Sequence, residues 1–230
     1  MIMNQDFKQS INSDVVSAEC LLSDIISRYF KDTDTPRLIA VGGAGGTGKS
    51  TLSKKLATAL GNTNILRLDD YKTCRNVRKG LGIFGPHPQA NEMDLISEHL
   101  SMIKSNLVID KPVYCSDVGR ATKTEKFRPA LFNIIEGEVS TYKEFSDIID
   151  FHIFIDSDLD TQLQTRMSRD VQSRGYTSDK ALETFVGSNI HEFEKYGSGT
   201  KAWADVILFC DRDYSLTISE ISSTLHNFLV

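Results

Sequence analysis

Short apolar runs alternate with stretches of helical spacing along most of the chain. The runs cover residues 38–41, 64–68, 130–136, 148–156 and 204–209, as expected of strands inside a sheet. Between them, apolar residues recur every three or four positions, which predicts helices over 92–104, 157–174 and 178–196. This alternation indicates the α/β class, with a doubly wound, mostly parallel sheet flanked by helices.

The two ends of the chain are predicted to be helical as well. Residues 1–36 form an N-terminal extension, in which the apolar positions predict an amphipathic helix packed on the edge of the sheet. These positions are Ile11, Val15, Ala18, Leu22, Ile25, Ile26 and Tyr29. The main domain is predicted to span residues 37–230, with a closing helix from Leu216 to Leu229.

Residues 37–51, RLIAVGGAGGTGKST, carry the clearest chemical signal. The pattern Gly43-x-x-x-x-Gly48-Lys49-Ser50 lies between a predicted strand and a predicted helix, which is the setting of a phosphate-binding loop. Glycines let successive backbone N–H groups point inward around a triphosphate, and the helix N-terminus adds partial positive charge. Lys49 is predicted to reach the β- and γ-phosphates, and the Ser50 hydroxyl to ligate Mg²⁺.

The alternative for this segment is a glycine-rich turn that only lets the strand and the helix pack. Such a turn would need neither the lysine nor the hydroxyl, so nucleotide binding is the better interpretation. The residues predicted to bind ATP are Gly43, Ala44, Gly45, Gly46, Thr47, Gly48, Lys49, Ser50 and Thr51.

Composition and charge exclude several classes of function. The formal net charge of −5 gives no general attraction to nucleic acid or to an anionic membrane surface. No apolar run approaches the length of a membrane span, and the N-terminal stretch MIMNQDFKQSINSD is too polar for a secretory signal. The 4 cysteines show no C-x-x-C spacing, which predicts reduced thiols and a cytoplasmic protein. A homo-oligomer is compatible with the sequence.

Acidic side chains follow two of the predicted strands. Asp69 and Asp70 come directly after the strand at 64–68, and Glu136 ends the strand at 130–136. Because α/β sheets bind ligands beyond the carboxyl ends of their strands, at least one acid of the pair is expected to act on a ligand. Glu136 has the form expected of the acid that completes a Mg²⁺–nucleotide site.

Two segments gather basic residues. Residues 73–85 contain Arg75 and Arg78 among glycines, and they are predicted to form a loop, either solvated and mobile or clamped on an anionic substrate. Arg166 and Arg169 share a helix face, which predicts transition-state stabilisation from a mobile lid over residues 157–175. Residues 72–129 are predicted to form an insertion on the acceptor side, with a short β-ribbon or loop from Lys111 onward.

These motifs resemble those of the phosphoribulokinase and uridine kinase family of P-loop kinases. The matching pieces, over roughly residues 37–210, are GGAGGTGKST, LDDYK, HPQANEMDL, KPVY, IIEG, RMSRDVQSRG and KAWADVIL. Their joint order and spacing carry the resemblance. It implies a P-loop NTPase fold with a small lid, and an ATP-dependent kinase whose acceptor is a hydroxyl of a small metabolite.

The resemblance also implies roles for single residues. Asp69 is expected to be the base that accepts the proton of the substrate hydroxyl, and to lie with Ser50 and Glu136 at the Mg²⁺ ion. Lys49, Arg166 and Arg169 are expected to act with it on the transferred phosphoryl group. The expected acceptor-side residues are Tyr71, Lys72, Arg75, Arg78, His87, Tyr114 and Arg174.

The class of acceptor stays open. Uridine kinases usually show an F-D-H-P stretch whose aspartate holds the ribose, whereas the matching positions here read Gly85-Pro86-His87-Pro88. This departure favours a phosphorylated or acidic sugar-like acceptor over uridine or cytidine. A non-catalytic nucleotide-binding regulator is a further alternative, against which Asp69 and Glu136 argue. A GTPase is disfavoured because the chain contains no Asn-Lys pair.

Overall fold

A computed structural model describes residues 17–229, and a six-stranded sheet runs through the middle of them. The strands in chain order are β1 (Arg37–Gly43), β2 (Thr63–Arg67), β3 (Ile109–Cys115), β4 (Arg120–Phe127), β5 (Phe132–Glu136), β6 (Phe151–Asp156), β7 (Val206–Cys210) and β8 (Leu216–Ile221). The sheet order is β2-β5-β1-β6-β7-β8, parallel except for β8, and β3 pairs with β4 as a separate antiparallel hairpin. This confirms the predicted α/β class and the predicted mostly parallel sheet.

Helices cover both faces of the sheet. They are α1 (Ala18–Tyr29), α2 (Lys49–Leu60), α3 (Arg75–Leu81), α4 (Met93–Lys104), α5 (Leu159–Gln172), α6 (Ser178–Phe185), α7 (Glu194–Tyr196) and α8 (Ser223–Leu229). A π-helix, Val186–Phe193, joins α6 to α7 without a break. No helix between residues 17 and 229 combines the length and the apolar character that a membrane crossing requires.

Strand β1 is buried on both faces, as its apolar run predicts. Ile39 and Val41 face a core that is shared with α1 and α2, whereas Leu38 and Ala40 face a second core that includes α4. The parallel register sets Val41 beside Glu136 of β5 and Gly43 beside Ile155 of β6. The glycine-rich segment that follows β1 therefore emerges between the carboxyl ends of two neighbouring strands.

The N-terminal helix packs differently from the prediction. Its side chains Leu22, Ile25 and Ile26 lie in the core with Leu56 of α2, so α1 covers a face of the sheet rather than its edge. Ile11 and Val15, which belong to the predicted stripe, lie outside the described residues.

Two further predictions about secondary structure are wrong. The predicted closing helix from Leu216 is strand β8 followed by the short helix α8. A turn with a positive φ of 64° at Tyr214 brings β8 back antiparallel to β7, and Leu216 and Ile218 then pack on the core. The predicted loop over residues 73–85 contains α3, which ends where Gly82 adopts a left-handed φ of 66°.

Candidate functional site

The glycine-rich loop folds into a tight turn around the start of α2. Gly43, Gly46 and Gly48 have positive φ values of 131°, 93° and 86°. A Cβ atom on Gly43 would lie 2.3 Å from the backbone oxygen of Ile155, which no conformational adjustment of a side chain could relieve. Backbone conformation favours glycine at all three positions, and close packing requires it at Gly43 and Gly46 as well.

Lys49 reaches into this turn. Its ammonium group donates to the carbonyl oxygens of Gly43 at 2.9 Å and Ala44 at 2.6 Å, and the residue is buried. Burial lowers the pKa of Lys49, while the nearby acids Glu138, Glu136 and Asp69 counteract part of that shift. The loop thus concentrates one positive charge at the N-terminus of α2, where an anion binds most favourably.

A hydroxyl and a carboxylate meet beside the loop. The Ser50 hydroxyl donates to Oε1 of Glu136 at 3.0 Å, and Glu136 is buried at the end of β5. Burial, with a smaller contribution from Asp69, raises the pKa of Glu136 despite the opposing effect of Lys49. Oxygen ligands of this kind suit Mg²⁺, which usually keeps several waters and substrate phosphates as its other ligands. Residues 17–229 contain no group of three or more His, Cys, Asp or Glu side chains that could hold a metal ion.

The two adjacent aspartates after β2 point to different surroundings. Asp70 is tied to the β3–β4 hairpin, where it accepts hydrogen bonds from Lys111 at 2.9 Å and from the backbone N–H of Tyr114 at 3.1 Å. Asp69 stays 59% exposed, and its carboxylate lies 3.8 Å from the ammonium group of Lys72. Desolvation by the surrounding protein raises the pKa of Asp69, but the positive charges of Lys72 and Lys49 lower it by more. The pKa of Asp69 therefore lies below its ordinary value. Asp69 is therefore the more accessible acid of the pair, and its lowered pKa favours the carboxylate form.

The basic residues of the acceptor side are bound to the protein itself. Arg78 donates to the Tyr114 hydroxyl at 2.6 Å and to the Thr73 carbonyl at 3.1 Å. Arg75 donates to the carbonyl of Ser116. These bonds hold α3 against the β3–β4 hairpin, and the structure thus shows the short ribbon that the sequence allowed after Lys111.

Two of the expected acceptor-side residues serve the fold instead. Tyr71 is 1% exposed, and its hydroxyl shares a 2.8 Å hydrogen bond with Nδ1 of His99 in the core. His87 accepts the backbone N–H of Gln89 on Nδ1, so Nε2 carries the proton and donates to the Tyr196 hydroxyl at 3.1 Å. Neither side chain is free to bind a substrate in this arrangement.

The predicted lid arginines gather around one buried acid. Asp170 is fully buried, accepts from Arg169 and Arg174 at 3.0 Å each, and lies 3.7 Å from Arg166. Arg166 also packs against the glycine-rich loop, because a Cβ atom on Gly45 would lie 2.6 Å from its guanidinium. The α5 helix and the residues directly after it therefore bring three positive charges and one negative charge to the rim of the loop.

Asn189 is a site residue that the sequence did not reveal. It lies buried in the π-helix, and its amide donates to the carbonyl of Gly45 and to Oε1 of Gln162 at 2.8 Å each. Its side-chain oxygen accepts from Arg166. The residue joins the loop to the lid helix, and no motif marks it because its partners lie 23 to 144 positions away.

Glu138 also escaped sequence reasoning. It stands two residues after Glu136, in a segment without a recognisable motif, and its carboxylate lies 3.8 Å from the ammonium group of Lys72. It is the acid with the largest electrostatic effect on both Lys49 and Arg166. The acidic edge of the site thus contains Asp69, Glu136 and Glu138.

Comparison with known proteins agrees with this geometry. The model of the Phosphoribulokinase / Uridine kinase family matches residues 38–214, which include the loop, the acids and the lid. The chain belongs to this family. The resemblance inferred from the motifs is confirmed, and the members named below are kinases with hydroxyl acceptors.

Curated relatives carry both names of the family. A phosphoribulokinase from Synechocystis is 31% identical over 175 residues, which is 74% of this chain and 52% of that protein. A uridine kinase from Chlamydia pneumoniae is 27% identical over 199 residues, covering 84% of this chain and 90% of that protein. The chain thus spans about half the length of the phosphoribulokinase and most of the uridine kinase.

Solved structures support the fold. A candidate fructose transport system kinase from Silicibacter has a TM-score of 0.67 at 20% identity, over 79% of this chain and 96% of that one. A circularly permuted candidate P-loop kinase from Saccharomyces cerevisiae has a TM-score of 0.65 at 11% identity, over 84% of this chain and 99% of that one. At these identities the likeness establishes the P-loop kinase fold alone.

Replacement of Asn189 is expected to weaken the fold around the loop. Asn189→Leu removes the hydrogen bonds that Asn189 makes with the Gly45 carbonyl, the Gln162 side chain and the Arg166 guanidinium, so the free energy of unfolding should fall by about 2–4 kcal/mol. Chemical denaturation measures the change, with Asn227→Leu at an exposed position of α8 as the control. Equal stability of the two variants would contradict the bridging role.

Proposed function

We propose that the protein transfers the γ-phosphoryl group of ATP to a hydroxyl of a sugar-like metabolite. The observation that carries the proposal is the position of Asp69, an ionised and accessible carboxylate close to the buried Lys49 and to the Ser50–Glu136 pair. An anion-binding loop alone would need no such acid. A base that faces an alcohol, beside a phosphate-binding loop, is the arrangement that phosphoryl transfer requires.

The residues present fit ATP and Mg²⁺. Positive φ glycines open the loop backbone, and Lys49 supplies the charge that the β- and γ-phosphates require. Ser50, Glu136 and the nearby Asp69 are oxygen donors for Mg²⁺. When bound, the ion neutralises the charge that develops on the transferred group.

The protein's own residues prepare the acceptor and the phosphates. Asp69 accepts the proton of the acceptor hydroxyl at its carboxylate, which its lowered pKa keeps ionised. Lys49 exchanges its bonds to loop carbonyls for bonds to phosphate oxygens. Arg166 and Arg169, carried by α5 within the proposed lid at 157–175, add positive charge at the rim and exclude water when the lid is closed.

The raised pKa of Glu136 predicts an acid limb in the pH profile. As the pH falls through that pKa, which lies above the ordinary 4.5, the carboxylate takes up a proton and loses its attraction for the metal. Because the pKa of Asp69 is lowered, the base stays ionised in the same range. We expect kcat/KM for MgATP to decline in this range, and Glu136→Gln to abolish the decline. An acid limb that is identical in the variant would assign it to another group.

The proposal is tested by ATP consumption over a panel of sugars, sugar phosphates and nucleosides. Turnover with a sugar or a sugar phosphate supports it, and turnover with uridine or cytidine alone would favour the nucleoside alternative. That alternative draws support from the 90% of the Chlamydia uridine kinase that the chain covers. ATP binding without turnover of any acceptor would identify a nucleotide-binding regulator.

A further inference from the structure

Glu138 occupies the gap between the glycine-rich loop and the acceptor-side segment before α4. A Cβ atom on Gly45 would lie 2.9 Å from one of its carboxylate oxygens, and a Cβ atom on Gly85 would lie 2.6 Å from the other. Glycine at both positions therefore leaves room for the carboxylate between the two walls. The side chain is 15% exposed, so a ligand in the cleft can reach it.

The carboxylate of Glu138 has free capacity for hydrogen bonds. Within residues 17–229 it accepts no hydrogen bond, although a carboxylate offers about four acceptor positions. Its cationic neighbour Lys72 lies 3.8 Å away and already donates to the Gly85 carbonyl at 2.9 Å. Lys72 also lies 3.8 Å from Asp69. Lys49 and Arg166 are further cations near Glu138, but both donate their hydrogen bonds to other groups.

The two arginines of the basic segment at 73–85 already donate hydrogen bonds to oxygens of the protein. Arg75 is bonded to the Ser116 carbonyl, and Arg78 to the Tyr114 hydroxyl and the Thr73 carbonyl. Glu138, in contrast, offers carboxylate oxygens that accept no hydrogen bond within residues 17–229. A carboxylate in this state attracts hydroxyl donors and repels a phosphate or carboxylate group that comes close to it.

We infer that Glu138 determines specificity by accepting a hydrogen bond from a second hydroxyl of an uncharged polyhydroxy acceptor. The inference rests on the proposed function and narrows its substrate class to neutral sugars, polyols and the ribose of nucleosides. It reverses the preference for an anionic acceptor that the basic segment at 73–85 suggests from sequence alone. Glu138 binds the acceptor but takes no part in the proton transfer, since the proton of the reacting hydroxyl goes to Asp69.

Matched pairs of probes test the inference. Each pair contains a neutral compound and a phosphate ester that keeps a free primary hydroxyl: fructose and fructose 6-phosphate, ribulose and ribulose 5-phosphate, uridine and uridine 3′-monophosphate. Binding is followed by thermal shift with a non-hydrolysable ATP analogue, and turnover by ATP consumption. The proteins compared are the wild type, Glu138→Gln, and the control Glu144→Gln at an exposed position.

We expect the wild type to prefer the neutral member of its best pair by about tenfold or more in kcat/KM. Glu138→Gln keeps the shape but loses the charge, so it should raise the KM for the neutral acceptor about tenfold and reduce the preference by a similar factor. The KM for ATP should not rise. Glu144→Gln should behave as the wild type.

Three outcomes separate this inference from the proposed function. A wild-type preference for the phosphate esters, or the same preference in Glu138→Gln, would overturn the inference while the kinase activity stands. Selective binding of a neutral probe without turnover, lost in Glu138→Gln, would support the inference and contradict the proposed function. Failure of every neutral probe to bind would overturn the inference.

Discussion

Lys49→Ala is expected to lower kcat/KM for ATP by about 10³-fold or more. The ammonium group of Lys49 is the buried positive charge at the centre of the loop, 2.9 Å and 2.6 Å from two loop carbonyls. Alanine leaves the loop backbone in place but removes the charge that balances the β- and γ-phosphates. Steady-state kinetics with the best acceptor, over a range of ATP concentrations, measures the loss.

Stability and activity should separate in this variant. Burial lowers the pKa of Lys49, so the folded protein holds this charge at a cost in the absence of an anion. We therefore expect Lys49→Ala to unfold at a temperature no lower than that of the wild type, despite its loss of activity. Lys54→Ala, at an exposed position of the same helix, is the control. Full activity of Lys49→Ala would defeat the phosphate-loop assignment.

Asp69→Asn is expected to lower kcat by about 10²–10⁴-fold, with little change in the affinity for ATP. The amide keeps the size of the side chain but cannot accept the hydroxyl proton. Since 59% of the side chain is exposed, the replacement should barely alter the free energy of unfolding. Single-turnover kinetics, combined with ATP titration by fluorescence, separates the chemical step from binding.

Asp70→Asn supplies the matched control. Asp70 bonds Lys111 and the backbone of Tyr114, so its replacement should loosen the β3–β4 hairpin and lower the unfolding temperature. Its effect on kcat should be much smaller than that of Asp69→Asn. If Asp70→Asn proves the more severe catalytic lesion, the assignment within the pair is reversed.

The sequence could predict those parts of the site that follow one another along the chain. The phosphate-binding loop is a local pattern, because a strand, five glycines and a helix start lie within residues 38–52. The strand ends at Asp69 and Glu136 are also local signals, and the parallel sheet brings them together. The family could be recognised because these pieces occur in a fixed order.

What sequence reasoning missed depends on contacts between distant segments. The role of Asn189 rests on a carbonyl 144 positions away, and the space around Glu138 depends on two glycines in separate loops. The basic segment suggested an anion clamp, yet nothing local shows that Arg75 and Arg78 bind the hairpin. The prediction of a helix at Leu216 is wrong because the packing of strand β8 depends on a turn at Tyr214 and on pairing with β7.

Gly43 shows how a mutational scan of this protein has to be interpreted. Any side chain there would collide with the backbone of β6, whether or not a nucleotide is bound. A substitution that is not tolerated at this position would therefore indicate a folding defect. A scan scored only by growth could not distinguish that defect from a loss of catalytic activity. Soluble yield, measured alongside, would separate Gly43 from Lys49 and Ser50, where full expression should accompany inactivity.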